Sequence, residues 1–186
     1  MIPVAAILRG IMGSWRLARG DPRGMLWFDT TPRGAWQSFW GPALVCPGVM
    51  ALQAFDGVFD QALARPLLVY LIAYVAGCVA YPLLVAGLCD QIGRARHFPR
   101  FLAAYNWSMP LQIALLLPIS TLAWVFPSPA TSLAGALVTL MLLLYQGYIA
   151  HVSLAVSPGG AALLVALDLL VGAMLQTLAA TLAATG

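Results

Sequence analysis

Residues 66–88, PLLVYLIAYVAGCVAYPLLVAGL, form a long apolar stretch without a single charged side chain. A helix needs about 20 such residues to cross the hydrocarbon core of a bilayer. The whole chain has the same character, because 62% of its 186 residues are hydrophobic and 8% are charged. Soluble domains carry about 25% charged residues. The sequence therefore predicts an integral membrane protein and excludes a water-soluble globular domain.

Four further segments on either side of this stretch are long and apolar enough to span a membrane. Backbone amides cannot be left unpaired in lipid, and the period-two alternation of a membrane β-barrel is missing, so the spans are predicted to be helices. We expect an all-α protein with a bundle of about five transmembrane helices over residues 39–186. The predicted spans are residues 39–59, 66–88, 107–126, 131–150 and 161–184.

The nine basic residues are all arginines, and their placement predicts the orientation of the chain. Eight of them precede the first span or lie between the second and third spans, whereas Arg65 alone falls on the other side. Arginine-rich connections stay in the cytoplasm. We therefore expect a multi-pass protein of the bacterial inner membrane, with a cytoplasmic N-terminus and a periplasmic C-terminus.

Residues 1–38 form a separate, amphipathic segment in this interpretation. Apolar side chains recur at helical spacing from Val4 to Trp15, and arginines lie on another face. Such a helix is typical of the lipid headgroup layer, with membrane lipids as its partners. Gly10 and Gly13 weaken the helix prediction. The predicted interfacial anchors are Arg9, Arg16, Trp15, Trp27, Trp36 and Trp40.

Asp168 is the most informative polar residue, because it falls well inside the fifth predicted span. An acid at that depth costs several kcal/mol unless it is paired or protonated, so it is a candidate functional residue. One alternative is a structural hydrogen bond to Gln146 or to a backbone carbonyl. The other is a role in proton-coupled transport. Gln53 and Gln112 complete the predicted intramembrane polar contacts, as amides that tie helices together.

The sequence gives no positive sign of a catalytic, metal or cofactor site. Three cysteines lie in or beside apolar stretches without a close pair, and the two histidines are both predicted near the cytoplasmic surface. Phosphate-binding loops and nucleophile motifs are missing from the sequence. We therefore expect no cofactor, no metal and no nucleic-acid partner.

The polar stretch 90–107, DQIGRARHFPRFLAAYNW, is predicted to be a cytoplasmic cap at the membrane surface. Asp90 would pair with Arg94 if the second helix continued. Asn106 would cap the start of the third span, and Trp107 would lie at the interface. The residues assigned to this cap are Asp90, Arg94, Arg96, Arg100, Asn106 and Trp107.

Three motifs carry a resemblance to a known family: YNW at residues 105–107, RLARGDPRGMLWFDTTPRGAWQSFW at 16–40 and YQGYIAHVSLAVSPGGAALLVALDLLVG at 145–172. The chain resembles a group of small alphaproteobacterial inner-membrane proteins related to the Yip-type membrane domain family. The resemblance covers almost the whole chain and implies a five-helix bundle with a cytoplasmic N-terminus. It also implies membrane organisation and partner binding rather than a defined reaction.

Three functions follow from these expectations. The first is a non-enzymatic accessory, structural or assembly subunit that packs laterally against a larger inner-membrane complex, bioenergetic or photosynthetic, or against copies of itself. The second is a small oligomeric transporter or channel that uses Asp168, Gln146 and Gln112. The third, a membrane enzyme acting on lipid or quinone, lacks a recognisable acid and base pair.

Overall fold

The computed structural model describes residues 4–59 and 64–184, and within these ranges the chain is an all-α protein, as predicted. Five helical segments are long and apolar enough to cross a membrane. The α-helices are α1 (Val4–Ala18), α2 (Pro32–Gln37), α3 (Trp40–Phe55), α4 (Ala64–Gln91), α5 (Phe98–Val125), α6 (Pro129–Leu154) and α7 (Pro158–Ala184). By the length and composition of its helices, the protein is thus a multi-pass membrane protein.

Three of the five candidate spans, formed by α4, α6 and α7, match their predictions closely. The first runs over Pro32–Phe55, which is α2 followed by α3, rather than over residues 39–59. Helix α5 begins at Phe98 rather than at residue 107. Pro99 lies in the first turn of this helix, where its missing N–H and fixed φ are tolerated. Residues 101–108 are all buried by protein. The sequence therefore placed a membrane boundary where the chain is already inside the helical bundle.

The bundle consists of two groups of helices. In one, α5 packs against α3 on one side and α6 on the other. In the other, α4 packs along α7, which also contacts α6. Contacts of α4 with α3 and α5 are sparse. The two groups therefore separate along part of their length and leave a partly open cavity between them.

The best-packed part of the core lies where α5 begins and α6 ends. One buried cluster surrounds Phe101 and Tyr105, and another surrounds Trp107 and Ile149. Phe101 and Tyr105 stack with ring centroids 5.6 Å apart. Eight of the nine arginines, all except Arg65, lie at this same end of the helices. We call it the arginine end; it comprises α1, α2, the starts of α3, α5 and α7, and the ends of α4 and α6.

Helix α1 packs against α5 through its smallest residues. A Cβ atom on Gly10 would lie 2.3 Å from Cδ2 of Trp107, so only glycine permits this approach. Ser14 is fully buried on the same face and donates a 2.7 Å hydrogen bond to the Trp107 carbonyl. The apolar side chains that suggested an amphipathic helix, among them Val4 and Leu8, face outward. Gly10, one of the two glycines that weakened the helix prediction, is therefore the residue that lets α1 approach α5.

Candidate functional site

Asp168 on α7 accepts hydrogen bonds from two neighbouring helices. Nε2 of Gln146 on α6 donates to Oδ2 at 2.9 Å, which is the contact expected from the sequence. The hydroxyl of Tyr105 on α5 lies 3.1 Å from Oδ1 and 3.2 Å from Oδ2. We call these three residues the Asp168 cluster. It ties three helices together, and Tyr105 is the member that sequence analysis missed.

The depth of this cluster follows from the helix positions. Asp168 is ten residues from the start of α7, or about 15 Å at 1.5 Å per residue. Tyr105 is seven residues from the start of α5, and Gln146 is eight residues from the end of α6. All three therefore lie about one-quarter to two-fifths of the way along their helices from the arginine end. Only the pattern of facing helices, which a single sequence does not show, could have identified Tyr105.

The Asp168 cluster opens into a cavity of about 210 Å³ between the two helix groups. Residues of α3, α4, α5 and α7 line it, including Asp168, Tyr105, Tyr74 and Cys78. The Tyr74 hydroxyl donates a 2.8 Å hydrogen bond to the Pro42 carbonyl and so links α4 to α3. The cavity thus combines one carboxylate with aromatic, apolar and amide side chains.

A pair of amides lies on the wall of the same cavity. Nε2 of Gln176 on α7 donates to Oε1 of Gln53 on α3 at 2.9 Å. Gln53 therefore makes an interhelical contact of the predicted kind. The expectation for Gln112 was wrong, because its Nε2 donates to the Ser108 hydroxyl within α5 at 2.8 Å. The spacing of four residues makes that local bond available without a second helix.

The predicted pair of Asp90 and Arg94 is not formed in the described part of the chain. Helix α4 ends at Gln91, and Gly93 adopts a left-handed φ of 68°, so the helical spacing that the pair requires is lost. Nη1 of Arg94 instead donates to the Leu154 carbonyl at the end of α6, at 2.9 Å. Arg94 therefore joins the α4–α5 connection to the C-terminus of α6, where a cation is favourable.

The predicted cap roles of Asn106 and Trp107 were also wrong. Asn106 lies inside α5, is fully buried and donates a 2.8 Å hydrogen bond from Nδ2 to the Ser38 hydroxyl. Trp107 is 5% exposed and packs against α1 instead of the headgroup layer. Polar and amphipathic residues have the same sequence signature at a membrane surface and in a protein core. Arg96 is exposed and Arg100 is half-buried, as a surface connection allows.

The predicted anchors divide into two kinds. Trp15, Trp36 and Trp40 are exposed on the outside of the molecule, as anchors would be, and Arg9 is also exposed. The guanidinium carbon of Arg16 lies 5.5 Å from the ring centroid of half-buried Trp27.

The α6–α7 connection is held in place by its own polar groups. Nδ1 of His151 lies 2.7 Å from the Val156 carbonyl, and Ala155 ends α6 with a left-handed φ of 53°. The Ser157 hydroxyl accepts a hydrogen bond from the Gly160 amide at the start of α7. Asp168 and Gln146, which flank this turn, are thereby kept in register.

Within residues 4–59 and 64–184, no group of three or more His, Cys, Asp or Glu side chains could hold a metal ion. The site brings together a hydrogen-bonded carboxylate, a tyrosine hydroxyl and amide side chains. Comparison of the chain with protein-family models, with curated proteins and with solved structures finds no match.

Proposed function

We propose that this membrane protein is a non-enzymatic accessory, structural or assembly subunit that packs laterally against a larger complex of the bacterial inner membrane. The proposal rests on glycines of the outer helix faces that no other part of the described chain covers. A Cβ atom on Gly135 of α6 or Gly87 of α4 would meet nothing within 4 Å. Small residues mark helix contacts in membranes because they let backbones approach closely. A bioenergetic or photosynthetic complex is the proposed host, and the Yip-type resemblance supports partner binding.

The polar side chains inside the bundle support the same proposal, because they bond to one another. The Asp168 cluster and the pair of Gln53 and Gln176 both join helices of this chain. Such bonds contribute about 0.6 to 2 kcal/mol each to helix association. These interior polar groups therefore join helices of this chain to one another. Contact with a partner would then involve the outer helix faces.

The test compares two leucine substitutions on α6. Gly135→Leu should reduce the amount of partner that co-purifies in mild detergent, because it fills the open contact surface. Ala136→Leu is the matched control, since Ala136 is exposed but lies about 100° further around the helix. Native mass spectrometry reads out the assembly. A strictly solitary chain, or equal co-purification of the two variants, contradicts the proposal.

The proposed orientation places the arginine end in the cytoplasm of the bacterial cell. Arg96 is exposed in the α4–α5 connection and is suited to thiol labelling. In a background without native cysteines, Arg96→Cys should be protected from a membrane-impermeant maleimide in intact cells and react after the inner membrane is opened. Reaction in cells with only the outer membrane permeabilised would reverse the orientation.

A small transporter or channel is the second candidate, and the cavity beside Asp168 favours it. Besides Asp168, the polar side chains on the wall of this cavity include Tyr105, Gln53 and Gln176. Gln112, which the sequence also suggested, forms a hydrogen bond within its own helix instead. Flux into liposomes that contain the purified chain tests this candidate. Asp168→Asn should abolish flux if the carboxylate acts in transport, and a chain that carries no flux excludes the candidate.

A further inference from the structure

The cavity between the two helix groups contains a carboxyl group with no basic side chain beside it in the described part of the chain. Among the described residues that line the cavity, Asp168 is the only acidic one and none is basic. A buried carboxylate is costly unless a charge or hydrogen bonds compensate for it. Asp168 is therefore a candidate counter-charge for a cationic ligand in this cavity.

The hydrogen bonds of Asp168 leave room for such a cation. Tyr105 and Gln146 both donate to the carboxylate, and donors of this kind stabilise its charged form. A carboxylate offers about four lone-pair sites. Oδ1 accepts one bond from the Tyr105 hydroxyl, so this oxygen keeps acceptor capacity.

The rest of the lining matches an organic cation better than a metal ion. Tyr70, Tyr74 and Tyr105 contribute aromatic side chains, and Met50 and Met109 contribute soft thioethers. Aromatic faces attract quaternary ammonium groups in particular. Asp168 supplies the one carboxylate among the described residues that line the cavity, whereas a hard metal ion is usually held by about six oxygen ligands.

We propose that this cavity binds a small, lipophilic quaternary ammonium ion, with Asp168 as the counter-charge and Tyr74 as an aromatic contact. The volume of about 210 Å³ lies below the range of about 300 to 1,000 Å³ for drug-sized ligands, so the cation is compact. The inference names a ligand class for the second candidate function but requires binding only. Binding without flux keeps it while excluding the transporter.

The experiment is equilibrium dialysis of the purified full-length chain in nonionic detergent against radiolabelled benzyltrimethylammonium. We expect saturable binding that excess neopentylbenzene, the uncharged isostere, does not displace. Asp168→Asn should weaken binding by at least about tenfold, because it removes the charge but retains groups that can bond to Tyr105 and Gln146. Asp90→Asn is the control, since Asp90 is exposed outside the cavity and its loss should leave binding unchanged.

A second pair of variants separates the aromatic contact from general damage. Tyr74→Phe keeps the ring and should bind within about twofold of the natural chain, whereas Tyr74→Leu should bind about three- to tenfold more weakly. This pair decides the question if Asp168→Asn does not fold. The proposal is overturned by non-saturable binding, by displacement with neopentylbenzene, by normal binding in folded Asp168→Asn, or by equal binding in the two Tyr74 variants.

Discussion

The arginine end and the opposite end of the bundle are packed in different ways. At the arginine end, eight consecutive residues of α5 are buried, and Ser14, Ser38, Asn106 and Ser153 are completely inaccessible. Towards the opposite end, the helix groups separate around the cavity, and Gln176 is exposed although it lies within a membrane-spanning helix. Polar and small residues thus bring helices together in one half, whereas large apolar residues mostly face outward in the other.

The difference shows what joins helices in a chain as apolar as lipid. Leucine gains little by leaving hydrocarbon, so close backbone packing and hydrogen bonds have to supply the association energy. A Cβ atom on Gly41 would lie 2.3 Å from the Asn106 carbonyl oxygen, which places the backbones of α3 and α5 in contact. We therefore expect substitutions to be costly at the arginine end and mild elsewhere.

Gly41→Ala should destabilise the protein most. The added methyl group meets backbone rather than a side chain that can move, so we expect a loss of about 3 kcal/mol in the free energy of unfolding. Gly87→Ala is the control, because a Cβ atom there has open space and should stabilise the helix by about 0.5 to 1 kcal/mol. Unfolding in mixed detergent micelles measures both, and equal stability of the two variants would contradict this packing.

Asn106→Ala should have the next largest effect. It removes the hydrogen bond to Ser38 and leaves a small void, although it also removes a buried Oδ1 that has no partner in the described part of the chain. The expected net loss is about 2 kcal/mol. Gln176→Ala, in the open half, should cost about 0.6 kcal/mol. The same micelle assay compares them, and a larger loss for Gln176→Ala would reverse the assignment of packed and open halves.

Arg94→Ala tests the link between the two connections at the arginine end. Loss of the hydrogen bond to the Leu154 carbonyl should cost about 1 kcal/mol, since the guanidinium is charged but half-buried. Arg96→Ala should cost almost nothing, because that side chain is exposed. Thermal unfolding of the pair in detergent is the measurement. Equal melting temperatures would show that Arg94 contributes no more than a surface charge.

The pH dependence contributed by Asp29 should be the smallest effect. The Thr31 hydroxyl and amide donate to its carboxylate and lower its pKa below the usual value, with the amide at 2.9 Å. A carboxyl whose folded-state pKa is lowered stabilises the fold above its unfolded pKa, and that contribution is lost as pH falls through the folded value. The acid arm of a stability profile should therefore be shallower in Asp29→Asn. Superimposable profiles would show that this turn does not contribute.

The fold class and the five spans could be predicted because hydropathy depends on local composition alone. The contact between Asp168 and Gln146 was also predictable, since a carboxylate and an amide flank one short turn. Sequence analysis assigned wrong roles to Asn106 and Trp107, and it assigned no role to Gly10. In each case the role depends on a neighbour distant in sequence. Tyr105 was missed for the same reason. Hydropathy locates helices relative to lipid, but it does not show which residues face another helix.

The central claim is that the half around Phe101 is sealed by protein packing and the half around the cavity is open, and two native cysteines of α4 test it directly. Cys89 is 1% exposed within the packed cluster at the arginine end, whereas Cys78 is 9% exposed and lines the cavity. Single-cysteine chains in detergent should react with methyl methanethiosulfonate faster at Cys78 than at Cys89. Equal rates, or faster reaction at Cys89, would contradict the claim.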